Sequence, residues 1–408
     1  MRDQDQSSSR SAFTAYLTGV ASWFCGMGLQ FVMIPTLVAV YLRASPQELA
    51  LAQVAIFVPQ LLLLLFTGRM ADRVEARKML VAVHAFAVLP PIMIFWLVWS
   101  DHLSYWNILV FAFSMGAISA FSAPTRDALL PPISSKDIQH AVTAAMLTQF
   151  AAQLFGFTLA AMAAPLAGPW TLPAMHALIL AVGLIAALRL PSYPPLSEEH
   201  GPEPGKRWID GLITAYRSPL LFPALLINLA VGIFFFGPFM VSIPLIVRDL
   251  FGGGQFEISL INLCFWGGTI LTTVTLMFRR PLEAWGRWMV AGTSAGAASL
   301  FVMTQSTDFN LTCLFAFIWG MCGGFNMTLS RTVVQVASPP RMRAQILALY
   351  NMCFIGLAPF GAFVVGMLSP IIGLRETPAL AALLMIMASI GIAIATPILT
   401  IRRPQTDS

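Results

Sequence analysis

Residues 48–99 read ELALAQVAIFVPQLLLLLFT, then GRMADRVEARK, then MLVAVHAFAVLPPIMIFWLVW. The first and third pieces are each about 20 mostly apolar residues, the length an α-helix needs to cross a bilayer's hydrocarbon core. The piece between them, residues 68–78, carries nearly all the charge of the stretch. Two apolar runs joined by a short turn crowded with arginine and lysine are what two membrane helices and their connecting loop require, because only a helix closes its own backbone hydrogen bonds in lipid.

The pattern repeats along the chain. Span 1 is expected near 12–41, span 2 near 48–67, span 3 near 79–99, span 4 near 105–125, span 5 near 139–166 and span 6 near 170–189. After a polar interval come span 7 near 219–247, span 8 near 257–278, span 9 near 287–304, span 10 near 309–331, span 11 near 344–372 and span 12 near 378–400. The apolar stretch from Ala12 to Leu42 is too long for a signal-peptide core and reads as a spanning helix. The whole composition agrees: 58% of the 408 residues are hydrophobic and 10% charged, where a soluble domain carries about 25% charged residues.

Lysine and arginine orient the spans. With the N-terminus on the cytoplasmic side, only Arg43, Arg248 and Arg375 of the 23 basic residues fall in outer segments. Both termini are therefore expected in the cytoplasm, which requires an even number of spans. The same placement explains the net charge of +5 without a nucleic-acid partner. The five cysteines (Cys25, Cys264, Cys313, Cys322 and Cys353) form no C-x-x-C pair, so neither a metal site nor a disulfide framework is indicated.

The longest polar interval, Pro191 to Arg217, divides the chain nearly in half. Residues 1–190 are expected as an N-terminal six-helix bundle, 191–218 as a cytoplasmic linker and 219–408 as a C-terminal six-helix bundle. Within the linker, Lys206 to Arg217 alternates apolar and charged residues at helical spacing, as an amphipathic helix on the membrane surface does; an ordinary linker is the alternative. Ser45-Pro46-Gln47-Glu48 is a capping box with proline at the first helical position, and Glu257 opens span 8 in a similar way. Gly252-Gly253-Gly254 is no phosphate loop, since no Gly-Lys-Ser/Thr follows. No cofactor is expected.

The turn Gly68-Arg-Met-Ala-Asp72-Arg73-Val-Glu75-Ala-Arg77-Lys78 resembles the signature loop of the major facilitator superfamily. Its spacing is most similar to the branch of enterobactin exporters and macrolide efflux pumps, the transmembrane secretion effectors. Phe121-Ser-Ala-Pro124-Thr-Arg126-Asp127-Ala-Leu-Leu-Pro131 and Arg341 to Tyr350, followed by Gly356-Leu-Ala-Pro359-Phe-Gly361, resemble that branch too. The resemblance implies an all-α membrane protein of twelve transmembrane helices in two six-helix bundles, a secondary transporter rather than an enzyme. It further implies a small-molecule substrate, an efflux direction, a bacterial cytoplasmic membrane and protons as the coupling ion. A monomer surrounded by membrane lipids is expected.

The signature loop is expected to act as a conformational latch. Gly68 lets a neighbouring helix approach closely. Asp72 is implied to dock at the N-terminus of span 11, where free N–H groups favour a negative charge. Arg73, Arg77 and Lys78 are placed to pair with Asp127 or Asp137 beyond span 4, beside Arg126. Plain positive-inside topology is the other reading of these charges.

The sequence departs from the superfamily where protons are usually handled. No arginine lies between Tyr105 and Thr125, Gly156-Phe157 stands where antiporters often show Gly-Pro, and Gly26-Met27-Gly28 stands where relatives often carry an acid. An ionisable group deep in a membrane helix is the default proton relay, and only His84 and His176 lie at depth, with Glu257 at a helix end. A histidine packed against a backbone carbonyl is the competing account.

Spans 1, 4, 7 and 10 line the substrate cavity in the family. On them lie Gln30, Ser114, Asn228 and Asn326. Phe315, Trp319, Asn326 and Ser330 recur on one face of span 10, and Phe235 and Phe239 sit beside Asn228 in span 7. Aromatics with a few amides suit an amphiphilic, weakly charged molecule. Three rivals remain open: a lipid-like substrate moved between leaflets, a membrane enzyme using His84 or His176, and a sensor or scaffold that transports nothing.

Overall fold

The computed structural model describes residues 2–133, 138–163, 168–192, 208–278, 282–339 and 342–402; within the helices, the side chains of 2–10, 64–66, 68–69, 71–73, 138–139, 208–209, 277, 344 and 355 are outside the description. Asp137 and residues 193–207 of the expected linker are therefore not described, and neither are the side chains of Gly68, Asp72 and Arg73. The chain falls into two compact units.

The first unit comprises Met1–Ala44, Ala55–Gly201 and Gly254–Ser259. Its helices are α1 (Arg2–Pro35), most of α2 (Pro46–Arg73), α3 (Ala76–Trp99), α4 (Tyr105–Ile133), α5 (Ile138–Ala163) and α6 (Thr171–Leu188). Helix α1 packs on α5 and α6, and α3 on α4 and α6. The α1–α5 contact depends on small residues. A Cβ added to Gly28 would lie 2.5 Å from the carbonyl oxygen of Gln153, and one on Gly156 would run into the carbonyl of Cys25. Gly28 and Gly156 are thus where the two backbones meet, the arrangement that substitutes for hydrophobic driving force in lipid.

The second unit comprises Ser45–Val54, Pro202–Gly253 and Leu260–Ser408. It holds α7 (Trp208–Arg217), α8 (Leu221–Phe234), α9 (Ile243–Phe251), α10 (Gln255–Phe278, from Leu260 on), α11 (Trp285–Gln305), α12 (Phe309–Ala337), α13 (Arg343–Asn351), α14 (Ala358–Ile372) and α15 (Glu376–Ala395). The short α7 is helical as expected. It buries Ala215 against Leu225 and Ile346, while Leu212, Ile213 and Tyr216 stay exposed.

Each predicted span is helical, with two differences from the sequence expectation. Spans 1, 7 and 11 are each interrupted by a π-helical turn, at Thr36–Tyr41, Pro238–Ser242 and Met352–Gly356. One extra residue per turn leaves no mark in an apolar sequence, and such turns gather at functional sites. Among the described residues, 11 helical segments are long and apolar enough to cross a membrane. Span 9 is not among them, although α11 forms there over 21 residues. Its run Gly292-Thr-Ser-Ala-Gly-Ala-Ala-Ser299 lowers hydropathy and lets α11 lie close against α12 and α15.

The caps read from the sequence are present. Ser45 N and Oγ both donate to Glu48 Oε2, at 2.7 and 2.8 Å, and Glu48 N donates back to Ser45 Oγ at 3.3 Å. Glu257 accepts from Gly254 N at 2.7 Å. Gly252 closes α9 in the left-handed region at φ 60°, so the triple glycine is a helix stop.

Candidate functional site

The site lies within the second unit and is organised by α12. Residues 319, 326 and 330 share one face of that helix, and Trp319, Asn326 and Ser330 are 1%, 3% and 0% exposed. Facing them, α8 supplies Asn228, which is fully buried. Its side chain donates to the carbonyl of Ala224, one turn earlier, at 2.8 Å. That bond fixes the amide with its oxygen turned toward α12. The oxygen accepts from Asn326 Nδ2 at 3.5 Å and from Ser330 Oγ at 3.4 Å. Tyr350 of α13 extends the chain, its hydroxyl 3.2 Å from Ser330 Oγ. A polar thread of four side chains from three helices thus runs through an apolar unit.

Beside this thread the aromatic residues enclose a cavity with an empty volume of about 640 Å³, its open part included. Phe235, Phe239 and Phe265 surround Trp319 edge-on, with ring centres 5.3, 5.8 and 5.0 Å away. Phe236 and Phe354, perpendicular at 5.2 Å, form another part of the wall. Among the described residues, none that lines the cavity is charged. Trp319 Nε1 and Asn326 Oδ1 are buried and have no hydrogen-bond partner among the described residues.

Of the expected cavity residues, Phe235, Phe239, Trp319 and Asn326 line this one space, with Asn228 and Ser330 behind Asn326. Phe315 lies on α12 but not in the lining. Gln30 and Ser114, both half-buried, belong to the first unit, on α1 and α4. Sequence reasoning missed Phe236, Phe265, Trp266, Phe354 and Tyr350. Apolar spans are aromatic on every side, so nothing in the pattern of α10 or of spans 7 and 11 singles these residues out.

In the first unit, the two histidines lie in different settings. His84 is fully buried and its Nδ1 donates to the Leu80 carbonyl at 3.1 Å, with Trp23 edge-on at 5.8 Å. His176 is 1% exposed, packs edge-on to Phe111 and against Gly26, and neither ring nitrogen has a partner among the described residues. Glu257 is engaged as a cap.

At the signature turn, Lys78 pairs with Glu75 at 3.0 Å, and Arg77 Nη2 donates to the Leu188 carbonyl at 3.0 Å. Glu75 also accepts from Ser192 Oγ at 2.5 Å. That bond and the Lys78 ammonium hold its carboxyl below the usual glutamate range. Arg126 lies over the rings of Phe24 and Trp23, 4.8 and 5.8 Å from their centres, and donates to Ser122 Oγ at 2.6 Å. Asp127 beside it is exposed.

The architecture has known counterparts. The nucleoside transporter NupG superposes with a TM-score of 0.75 at 11% identity, over 94% of this chain and 98% of that one. A bacterial homologue of the human lysosomal transporter Spinster gives 0.66 at 14% identity, over 95% and 96% of the two chains. A POT family transporter in complex with 5-aminolevulinic acid gives 0.71 at 11% identity, over 96% of each. At such identities the likeness is one of fold. No curated protein matches the sequence significantly. The family model of the Major Facilitator Superfamily matches residues 16–358, and the chain belongs to that superfamily. It is a multi-pass integral membrane protein and a transporter, not an enzyme.

Proposed function

We propose that the chain is a secondary active exporter of an amphiphilic, weakly charged small molecule, drug- or siderophore-like, working by alternating access. The observation that carries this reading is the aromatic cavity of the second unit, which has two buried amides at its edge and, among the described residues, no charge in its lining. A site without charge discriminates against ions, because an unpaired charge in apolar surroundings is costly. The efflux direction rests on the three loops that resemble the enterobactin and macrolide exporters. The basic-residue distribution supports cytoplasmic termini in a bacterial cytoplasmic membrane, and a monomer is the working form. The latch is Gly68, Asp72, Arg73, Arg77 and Lys78 with Arg126 and Asp127. Proton antiport is the coupling the family implies, and the spans support it weakly.

The test is transport by purified protein in vesicles, over a panel of siderophores, macrolides and lysolipids. Saturable movement of an amphiphilic, uncharged compound is expected. Transport confined to multiply charged compounds would refute this reading. A second reading, a lipid-like substrate moved between leaflets, is favoured by the apolar character of the cavity wall, and the lysolipid arm decides it.

A further inference from the structure

Helices α1 and α6 of the first unit pack closely at one level and part at another. A Cβ added to Gly26 would lie 3.1 Å from the His176 ring, and Ser22 Oγ donates to the Ile179 carbonyl at 2.6 Å. Falling numbers on α1 meet rising numbers on α6, so the two helices run antiparallel. One turn beyond Ser22, toward the start of α1, the contact opens into a groove with an empty volume of about 690 Å³, its open part included. Ser11, Thr14 and Thr18 line it from α1, and Val182, Ile185 and Arg189 from α6. Both sets recur at steps of three and four, so each is a single helix face.

The groove is graded along its length. Seven helical residues span about 10 Å, with Arg189 and Ser11 at one end and Val182 and Thr18 at the other. Both Arg189 and Ser11 are exposed, and neither side chain has a hydrogen-bond or ion-pair partner among the described residues. No acidic side chain lines the groove among the described residues. Toward the other end the outer face of α6 is apolar: Ile185, Val182 and Leu178 are 52%, 45% and 68% exposed. An exposed apolar face on a spanning helix is one that meets lipid.

Donors at one end and an apolar wall at the other match a phospholipid. A guanidinium binds phosphate through paired N–H groups, and the Ser11 hydroxyl can donate as well. A cation without an acid beside it favours a headgroup of net negative charge over a zwitterionic one, whose ammonium would face Arg189.

We propose that the groove between α1 and α6 binds an anionic phospholipid, with its phosphate on Arg189 and Ser11 and an acyl chain over Val182 and Leu178. The site belongs to the first unit and does not rest on the exporter reading.

The experiment is native mass spectrometry of the full-length protein in detergent, titrated with phosphatidylglycerol or phosphatidylcholine of the same acyl chains. A phosphatidylglycerol with a diazirine in one acyl chain maps the site through its peptide adducts. Wild type is expected to bind its first phosphatidylglycerol about fivefold more tightly, the weight of one basic side chain near an anionic headgroup. Adducts are expected on α6 between Leu178 and Ile185. Arg189→Gln should abolish the preference by weakening phosphatidylglycerol alone, while Arg217→Gln on α7 should leave it unchanged. Val182→Trp, which fills the apolar end, should weaken both lipids.

Equal binding of the two lipids to wild type overturns the proposal, and so do adducts confined to other helices; neither result needs a variant to fold. A preference that persists in Arg189→Gln overturns it too. Release of phosphatidylglycerol by millimolar inorganic phosphate at constant ionic strength would make the groove a plain anion site and overturns it as well.

Discussion

The guanidinium of Arg126 on α4 lies 4.8 Å from the ring centre of Phe24 on α1. With Trp23 also beneath it and Ser122 accepting from Nη1, this cation is held by aromatic faces and a hydroxyl. The planar guanidinium stacks where an ammonium does not. Arg126→Lys is therefore expected to lower stability by about 0.5–2 kcal/mol, the range of a cation–π contact, and Phe24→Leu by a similar amount. Thermal unfolding of the purified variants measures both. Combined, they should lose less than the sum of the single effects, since each removes the same contact.

Backbone proximity between α1 and α5 gives a sharper test. Gly28→Ala and Gly156→Ala push a methyl group into the opposing backbone. Overpacking of this kind costs about 1–3 kcal/mol, so both variants should melt earlier and give less folded protein. Gly19, on α1 as well, has nothing within 4 Å of an added Cβ, and Gly19→Ala should be silent. Equal melting of all three would show that the two helices do not meet where the geometry puts them.

The two histidines should respond differently to the same change. His84→Leu forfeits the bond to the Leu80 carbonyl and is expected to cost about 1 kcal/mol. His176→Leu removes two nitrogens that have no partner among the described residues, so stability should hold or rise. For coupling, the measurement is vesicle uptake with and without a pH gradient at fixed membrane potential. Weak dependence on the gradient is expected. Strong accumulation that survives replacement of His84, His176 and Glu257 would show a proton site among other residues.

Asp72 is the remaining test of the latch, and it stands on the signature loop. Asp72→Asn should insert normally and transport slowly. A charge at a helix N-terminus contributes roughly 0.3–2 kcal/mol, enough to bias a conformational equilibrium without unfolding the chain. Wild-type turnover in this variant would reduce the loop to a topology signal.

The class and the element order were legible because the bilayer imposes them: the apolar runs and the basic loops specify spans with little ambiguity. The caps at Ser45 and Glu257 were legible because they are local. The face of α12 that carries Trp319, Asn326 and Ser330 was legible because polar residues on an apolar helix mark their own period. Partners were not. Arg77 reaches Leu188, and Ser192 reaches Glu75, across more than a hundred residues, and nothing local foretells either pairing. The aromatic walls were hidden for a different reason: phenylalanine faces lipid and cavity alike, so its position on a span does not say which. Gly28 and Gly156 stand beside the departures from relatives at Met27 and Phe157, but nothing in the sequence tells that these glycines bring α1 against α5.

The π-helical turn at Pro238–Ser242 has a consequence for how this cavity changes over generations. It follows Phe235 and Phe236 and contains Phe239. Because it takes up one extra residue in about the rotation of a single α-turn, a single-codon deletion there would restore the regular helix and leave α9 facing nearly as it does. One such event would change which residues between Phe236 and α9 meet the cavity while its other walls stayed in place. This stretch of wall is thus open to change by a single insertion or deletion that the rest of the helix absorbs.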